Sequence, residues 1–275
     1  IVWRPSPDAD VCDTLPVCAL KDSAGNMVCV LFSVACHPST VHGREISADY
    51  PGVAMDLLDS HLGRTCSLFL QGTGGDAKPS VIGEGETHWR RGTWEDMDRA
   101  GNIVAEEVLG VLKEGLSSVE PGLRTRTIEA PWPLEANIGR AGYEAVLVDP
   151  ESILTRRLWA EEKLAWLDSG HELPTTVPVT THGIRLGDGL RIVGLEGEAV
   201  AAFGLQIQDH YDGGVTFPLG YTDGVQMYWV TSKMLDEGGY EAISSHEYHQ
   251  PAPLARGMET VLDDSLKWLV EQGID

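Results

Sequence analysis

The order of elements in residues 27–76 constrains this chain more than any other feature. Met27 to Ala35 is an unbroken apolar, β-rich run, followed by His37-Pro38-Ser39-Thr40 and a polar stretch to Asp49. Pro51 then opens a helix whose apolar residues are Val53, Ala54, Leu57, Leu58 and Leu62, and Gly63 closes it. Proline at a helix start and glycine just past its end mark these boundaries. Thr65 to Leu70 reads as a short buried strand, and it enters Gly72-Thr73-Gly74-Gly75-Asp76. A strand, a helix and a second strand ending in glycines predict an α/β fold: a layered domain with a mixed β-sheet core and flanking helices. Such domains build their sites in the loops beyond strand ends.

The rest of the chain extends this pattern. Leu15 to Leu20 forms a hairpin with the Met27 run across Asp22-Ser23-Ala24-Gly25-Asn26. Val81 to Thr93 is a polar, glycine-rich loop. Trp94 to Lys113 has the apolar spacing of a long helix, through Ile103, Val104, Val108, Leu109 and Leu112. Leu123 to Ala130 alternates as a strand, Pro131 to Arg140 is irregular, and Ser152 to Leu167 is an amphipathic helix. Val177 to Leu186 and Leu190 to Leu195 form a hairpin about Gly187-Asp188-Gly189. A helix from Ala199 to Gln208, a strand from Thr216 to Tyr221 and a helix from Pro253 to Gln272 complete the chain. No repeat or low-complexity linker divides it, so residues 1–275 are expected to form one domain.

Charge excludes some partners. The net charge is −22, which repels phosphate backbones, so nucleic acid is not an expected partner. It also disfavours anionic lipid surfaces. No apolar run approaches the ~20 residues of a transmembrane helix. The five cysteines include no CxxC pair. Cys29, Cys36 and Cys66 lie in apolar runs and are expected to be buried thiols, and a Cys12–Cys18 bridge is open. The odd count favours a reducing compartment.

Four places could carry chemistry. His37 ends an apolar strand; histidine is a common metal ligand and general base, though a lone one is more often structural. Gly74-Gly75-Asp76-Ala77-Lys78-Pro79 could bring backbone N–H groups to an oxyanion, or be a plain turn. Glu196-Gly197-Glu198 follows a strand and precedes a helix, where a carboxylate can bind metal or favour the helix dipole. Tyr228 and Tyr240 stand twelve residues apart, and buried tyrosines usually bond their hydroxyls. His246 and His249 could share a metal on a helix, but Pro251 and Pro253 point to a loop and to surface histidines.

The order and wording of these segments resemble the neutral/alkaline non-lysosomal ceramidase superfamily. The resemblance lies in Val34-Ala35-Cys36-His37-Pro38-Ser39-Thr40, Ile46-Ser47-Ala48-Asp49-Tyr50-Pro51-Gly52, Leu70 to Pro79 and Leu195-Glu196-Gly197-Glu198. It continues through Tyr228-Trp229-Val230-Thr231 and Tyr240-Glu241, collinear with the family to about residue 245. It implies a zinc-dependent hydrolase in which activated water attacks an acyl (amide) carbon. Zn²⁺ would be the cofactor, with His37, Glu198 and Tyr228 as its ligands. Tyr240 would steady the oxyanion, with Gly75, Asp76 and Lys78 at the reacting centre. A mixed nitrogen and oxygen donor set suits zinc. The resemblance also makes secretion an alternative location.

Two departures accompany it. The family's first zinc histidine lies in a segment with no counterpart here, so either a second chain carries that upstream histidine segment or it is absent; the family's C-terminal domain also has no counterpart. Lys78 stands where the family loop has serine, and could recognise a carboxylate or a sugar hydroxyl, or point to solvent without a role. The expected substrate is therefore a small molecule or lipid-like: an N-acyl amide first, another polar amide, ester or glycoconjugate second. The third reading is a non-catalytic binding module on the same scaffold.

Overall fold

The computed structural model describes residues 4–6, 9–63, 65–83, 85 and 87–275. Strands β1 (Val17–Lys21) and β2 (Met27–Val34) form the expected antiparallel hairpin, and β3 (Cys66–Gln71) adds to β2 in parallel. The crossover between β2 and β3 is helix α1 (Asp49–Leu62), stopped by Gly63. Helix α2 (Trp94–Glu114) packs beside α1. Val30 and Phe32 of β2 meet Ala54, Leu58, Ala105 and Val108 there, which makes one core.

A second sheet has the order β4-β5-β6-β8, from β4 (Pro121–Pro133), β5 (Thr176–Gly187), β6 (Leu190–Leu195) and β8 (Val215–Leu219). Between β4 and β5 stand α3 (Gly139–Val148) and α4 (Leu154–Asp168). Helices α5 (Ala201–His210) and α8 (Met258–Glu271) cover one face of this sheet, and Trp132, Val179, Val193, Leu195, Phe203 and Leu266 fill the space between. The edges of the two sheets meet at the isolated bridge between Gly72 and Leu219. Cys18, Leu31 and Leu70 of the first sheet there join Phe217, Leu219 and Ile192 of the second. A two-stranded pair, β7 (Glu198–Ala199) with β9 (Tyr228–Trp229), completes the β structure. The shorter elements are α6 (Ser232–Glu237), α7 (Tyr240–Ile243) and a 3-10 helix, Ser244–Tyr248. The observed architecture is α/β with sheets of mixed strand direction, as the sequence predicts.

Helix α2 begins where its first turn is satisfied. The Thr93 hydroxyl accepts from the Asp96 N–H at 3.3 Å, and the Asp96 carboxylate accepts from the Thr93 N–H at 2.9 Å. This reciprocal capping box leaves few donors unmet. Arg90 donates two bonds of 2.6 Å to the same carboxylate. Those bonds, then the Thr93 backbone, hold the Asp96 carboxyl well below its ordinary 3.8. A depressed folded-state value means the stability is present above the ordinary carboxylate pKa and lost as pH falls through the folded one. Thermal unfolding followed from about pH 5 to about pH 2 should show wild-type Tm falling more steeply than that of Asp96→Asn. Parallel slopes would remove this role from Asp96.

Several expectations change. Thr65–Leu70 is realised as β3, but it is an edge strand, and Cys66 and Leu68 face solvent. Cys29 and Cys36 are half-buried; the buried thiols are Cys12 and Cys18, and all five cysteines are free, with no Cys12–Cys18 bridge. The stretch from Pro131 is not irregular at its start, because β4 runs on to Pro133. Prolines are tolerated there because β4 is an edge strand, where a missing N–H costs no ladder bond. Helix α3 is an addition to the elements read from the sequence. Helix α8 begins at Met258 and not at Pro253, because the earlier residues pair with the end of β4: Glu135 N–H donates to Pro253 C=O (2.8 Å) and Ala255 N–H to Pro133 C=O (2.8 Å).

Candidate active site

The candidate residues gather where the two sheets meet. His37 lies just beyond the end of β2, and its N–H donates to Ala77 C=O at 2.9 Å. Its ring is held from both sides, with Nε2 3.2 Å from Gly75 C=O and Nδ1 3.3 Å from the Tyr221 hydroxyl. Glu198 arrives on β7, in register with Tyr228 on β9. Its carboxylate accepts from the Tyr248 hydroxyl at 2.8 Å and from the Tyr221 hydroxyl at 3.3 Å. One hydroxyl, that of Tyr221, therefore lies within bonding distance of both His37 and Glu198. It has a single proton, donated to one of them at a time.

Phenols surround this carboxylate. The Tyr228 ring meets Tyr240 edge-on at 5.9 Å and Tyr248 at 5.8 Å. Burial, then the hydrogen bond to Glu198 and its charge, push the Tyr228 and Tyr248 phenols above their ordinary range. Burial, then the charge of Glu198, does the same to Tyr221. Tyr240 is half-exposed and donates to Glu247 at 2.8 Å. Burial and that bond raise its phenol to about 12. Each phenol is thus kept as a neutral donor near a carboxylate.

Two glycines let the strands come together. Gly75 N–H donates to Ala199 C=O at 2.9 Å, and a side chain at Gly75 would stand 2.8 Å from the Glu198 carbonyl oxygen. Gly197 has φ +108°, and an added Cβ would collide with the Trp229 indole. That indole donates to the Glu196 carbonyl. Gly197→Ala should therefore displace Glu198 and cost about 2 kcal/mol or more of stability, read as a lower urea midpoint. An unchanged midpoint would mean the turn relaxes freely.

The other predicted residues serve different contacts. Asp76 Oδ1 accepts from the Ala201 N–H at 2.8 Å, at the start of α5, and burial raises its carboxyl pKa. The amides of Gly74, Gly75 and Ala77 are taken by Gly72, Ala199 and Gly74 carbonyls. Those of Gly74 and Ala77 close the turn itself, and that of Gly75 ties it to β7. Lys78 lies over the Trp89 ring, 5.2 Å from its centre. His246 packs edge-on against Trp159 and His249 bonds Glu162, so they do not face one another as a metal pair. Tyr221 and Tyr248 were not singled out from the sequence. Tyr221 has φ +61°, a conformation uncommon for a bulky residue and frequent at functional sites.

No group of three or more His, Cys, Asp or Glu side chains converges as a metal site among the described residues. His37 and Glu198 are the two such donors at this place, and Tyr228 adds a phenol oxygen. The set fits zinc in donor type, one nitrogen with oxygens, and falls short of four ligands in number.

No family model matches the sequence, and no curated relative does. Solved structures do match. Neutral ceramidase from Pseudomonas aeruginosa superposes with a TM-score of 0.62 at 14% identity, over 94% of this chain and 45% of that one. A ceramidase complexed with C2 gives 0.64 at 13% identity, over 97% and 50%. The chain thus has a neutral ceramidase-like fold and spans about half the length of these structures. At this identity the likeness is one of fold.

Proposed function

We propose that this chain is a hydrolase of the ceramidase type, acting on an acyl bond with the help of a divalent metal, zinc. The observation that carries the reading is the Tyr221 hydroxyl shared by His37 and Glu198. It brings an imidazole and a carboxylate from distant parts of the chain to one point. A packing scaffold needs neither. His37, Glu198 and Tyr228 would hold the ion, taking over contacts that the Tyr221 hydroxyl now makes. Held there, zinc would lower the pKa of a water toward about 7 and polarise a carbonyl. The remaining donors would come from solvent, substrate or a further segment, including one on a second chain.

The chain's own groups supply the rest. Gly75 C=O fixes the orientation of the His37 ring. Tyr248 holds Glu198 from one side, so the carboxylate keeps a single direction. Tyr240, neutral at physiological pH, would have to turn its hydroxyl from Glu247 to donate to an oxygen that gains charge at the acyl carbon. The substrate is lipid-like, an N-acyl amide. A polar amide, ester or glycoconjugate is a second reading, favoured by the position of Lys78 on the loop beyond Gly75.

The test is metal analysis of the purified protein together with a panel of N-acyl amides, esters and glycosides. About one zinc per chain and release of fatty acid from an amide are expected. Cleavage of the esters or glycosides alone would move the assignment to the second reading. No metal and no hydrolysis of any substrate would leave a binding module.

A further inference from the structure

We propose that Cys29 and Cys66 form a dithiol that low-molecular-weight disulfides convert to a cross-strand disulfide. The two residues are direct partners in the parallel pairing of β2 with β3. Partners in neighbouring strands lie about 4.8 Å apart at Cα and point to the same face, inside the range a disulfide spans. On that face the adjoining residues are Leu20, opposite Cys29 on β1, and Leu68 on β3; both are exposed. The second sheet covers only the upper part of the face, at Leu31 and Leu70, so the lower part is open to a small oxidant. Cys66 is exposed and Cys29 half-buried, which sets the order of attack.

The chemistry balances with an oxidised thiol such as glutathione disulfide. The Cys66 thiolate attacks one sulfur of the disulfide, forms a mixed disulfide and releases one glutathione thiolate. Cys29 then loses its proton and attacks the Cys66 sulfur, closing the protein bond and releasing the second glutathione. Two protein thiols are oxidised, and one disulfide is reduced to two thiols. Burial, then the charges of Cys66 and Asp59, raise the Cys29 thiol pKa, so Cys29 resolves and does not initiate. Cys18 is the nearest competitor. It is diagonal to Cys29, opposite Leu31, and buried, so a small oxidant does not reach it first.

The bond would staple the strands that lead to His37 and Gly75. The whole protein is incubated with glutathione disulfide, quenched and denatured. Free thiols should fall from five to three. Peptide fragmentation should place the link between Cys29 and Cys66, and Tm should rise by roughly 5 °C in a manner reversed by dithiothreitol. Cys29→Ser should stop at glutathione on Cys66, and Cys66→Ser should keep its thiols. Glutathione persisting on Cys66 in the wild type, or a link using Cys18 or Cys36, would overturn the assignment.

Discussion

Glu198→Ala and His37→Ala should each lower zinc affinity by at least about 100-fold, with the fold intact. Losing the outer partners of a metal ligand already costs 10–100-fold, and losing a ligand costs no less. Glu198 is half-buried and its backbone contacts do not involve the side chain: its N–H donates to Met227 C=O at 3.0 Å. The strand pairing of β7 with β9 should therefore survive. The measurement is zinc per chain after dialysis against a weak chelator, with circular dichroism for the fold. Hydrolysis should fall with the metal. Tyr248→Phe is the informative partner. It removes one donor to Glu198 and keeps the ring, so its loss of affinity should be smaller than that of Glu198→Ala. Full metal content in a folded Glu198→Ala protein would remove Glu198 from the ligand set.

The second large effect lies in the core. Trp132 is fully buried, 4.8 Å from the Trp229 ring and 5.7 Å from Phe203. Trp132→Ala should destabilise the protein by about 3–5 kcal/mol, since a large cavity opens between β4 and α5. That is a large part of the total stability of a typical domain, about 5–15 kcal/mol. Trp132→Phe should cost less, because the indole nitrogen has no hydrogen-bond partner to lose. Urea unfolding separates the two. Because Trp229 follows Tyr228, which pairs with Glu198, the alanine variant should also loosen the site.

Much of this was legible in the sequence, for reasons that can be named. The β1–β2 and β5–β6 hairpins carry turn residues between apolar runs. Helix α2 has a clear apolar period and ends in Gly115. His37, Glu198 and Tyr228 stand at strand ends, where chemistry concentrates, and family wording marked them. Other features depend on partners far along the chain. Whether Thr65–Leu70 lies at the centre or edge of its sheet depends on what stands beside it. Pro131 and Pro133 read as strand breakers because β4's edge position is invisible locally. Tyr221 sits in Gly220-Tyr221-Thr222-Asp223-Gly224, which looks like an ordinary turn, and only its positive φ and its two partners distinguish it. Tyr248 stands between His246 and His249, and nothing local in the sequence signals that its hydroxyl reaches Glu198.

The bridge between Gly72 and Leu219 has a further consequence. His37 and Gly75 follow strands of the first sheet, while Tyr221 follows β8 of the second and Glu198 and Tyr228 stand on the β7–β9 pair. Neither half holds the imidazole and the carboxylate together. Under the proposed reading, binding at this place would act as a latch across a seam: an ion or substrate held there should raise the force needed to pull the two halves apart. Conversely, a small loosening of that seam should silence the site well before either half melts. The proposed activity would then be a more sensitive gauge of docking than any spectrum of secondary structure.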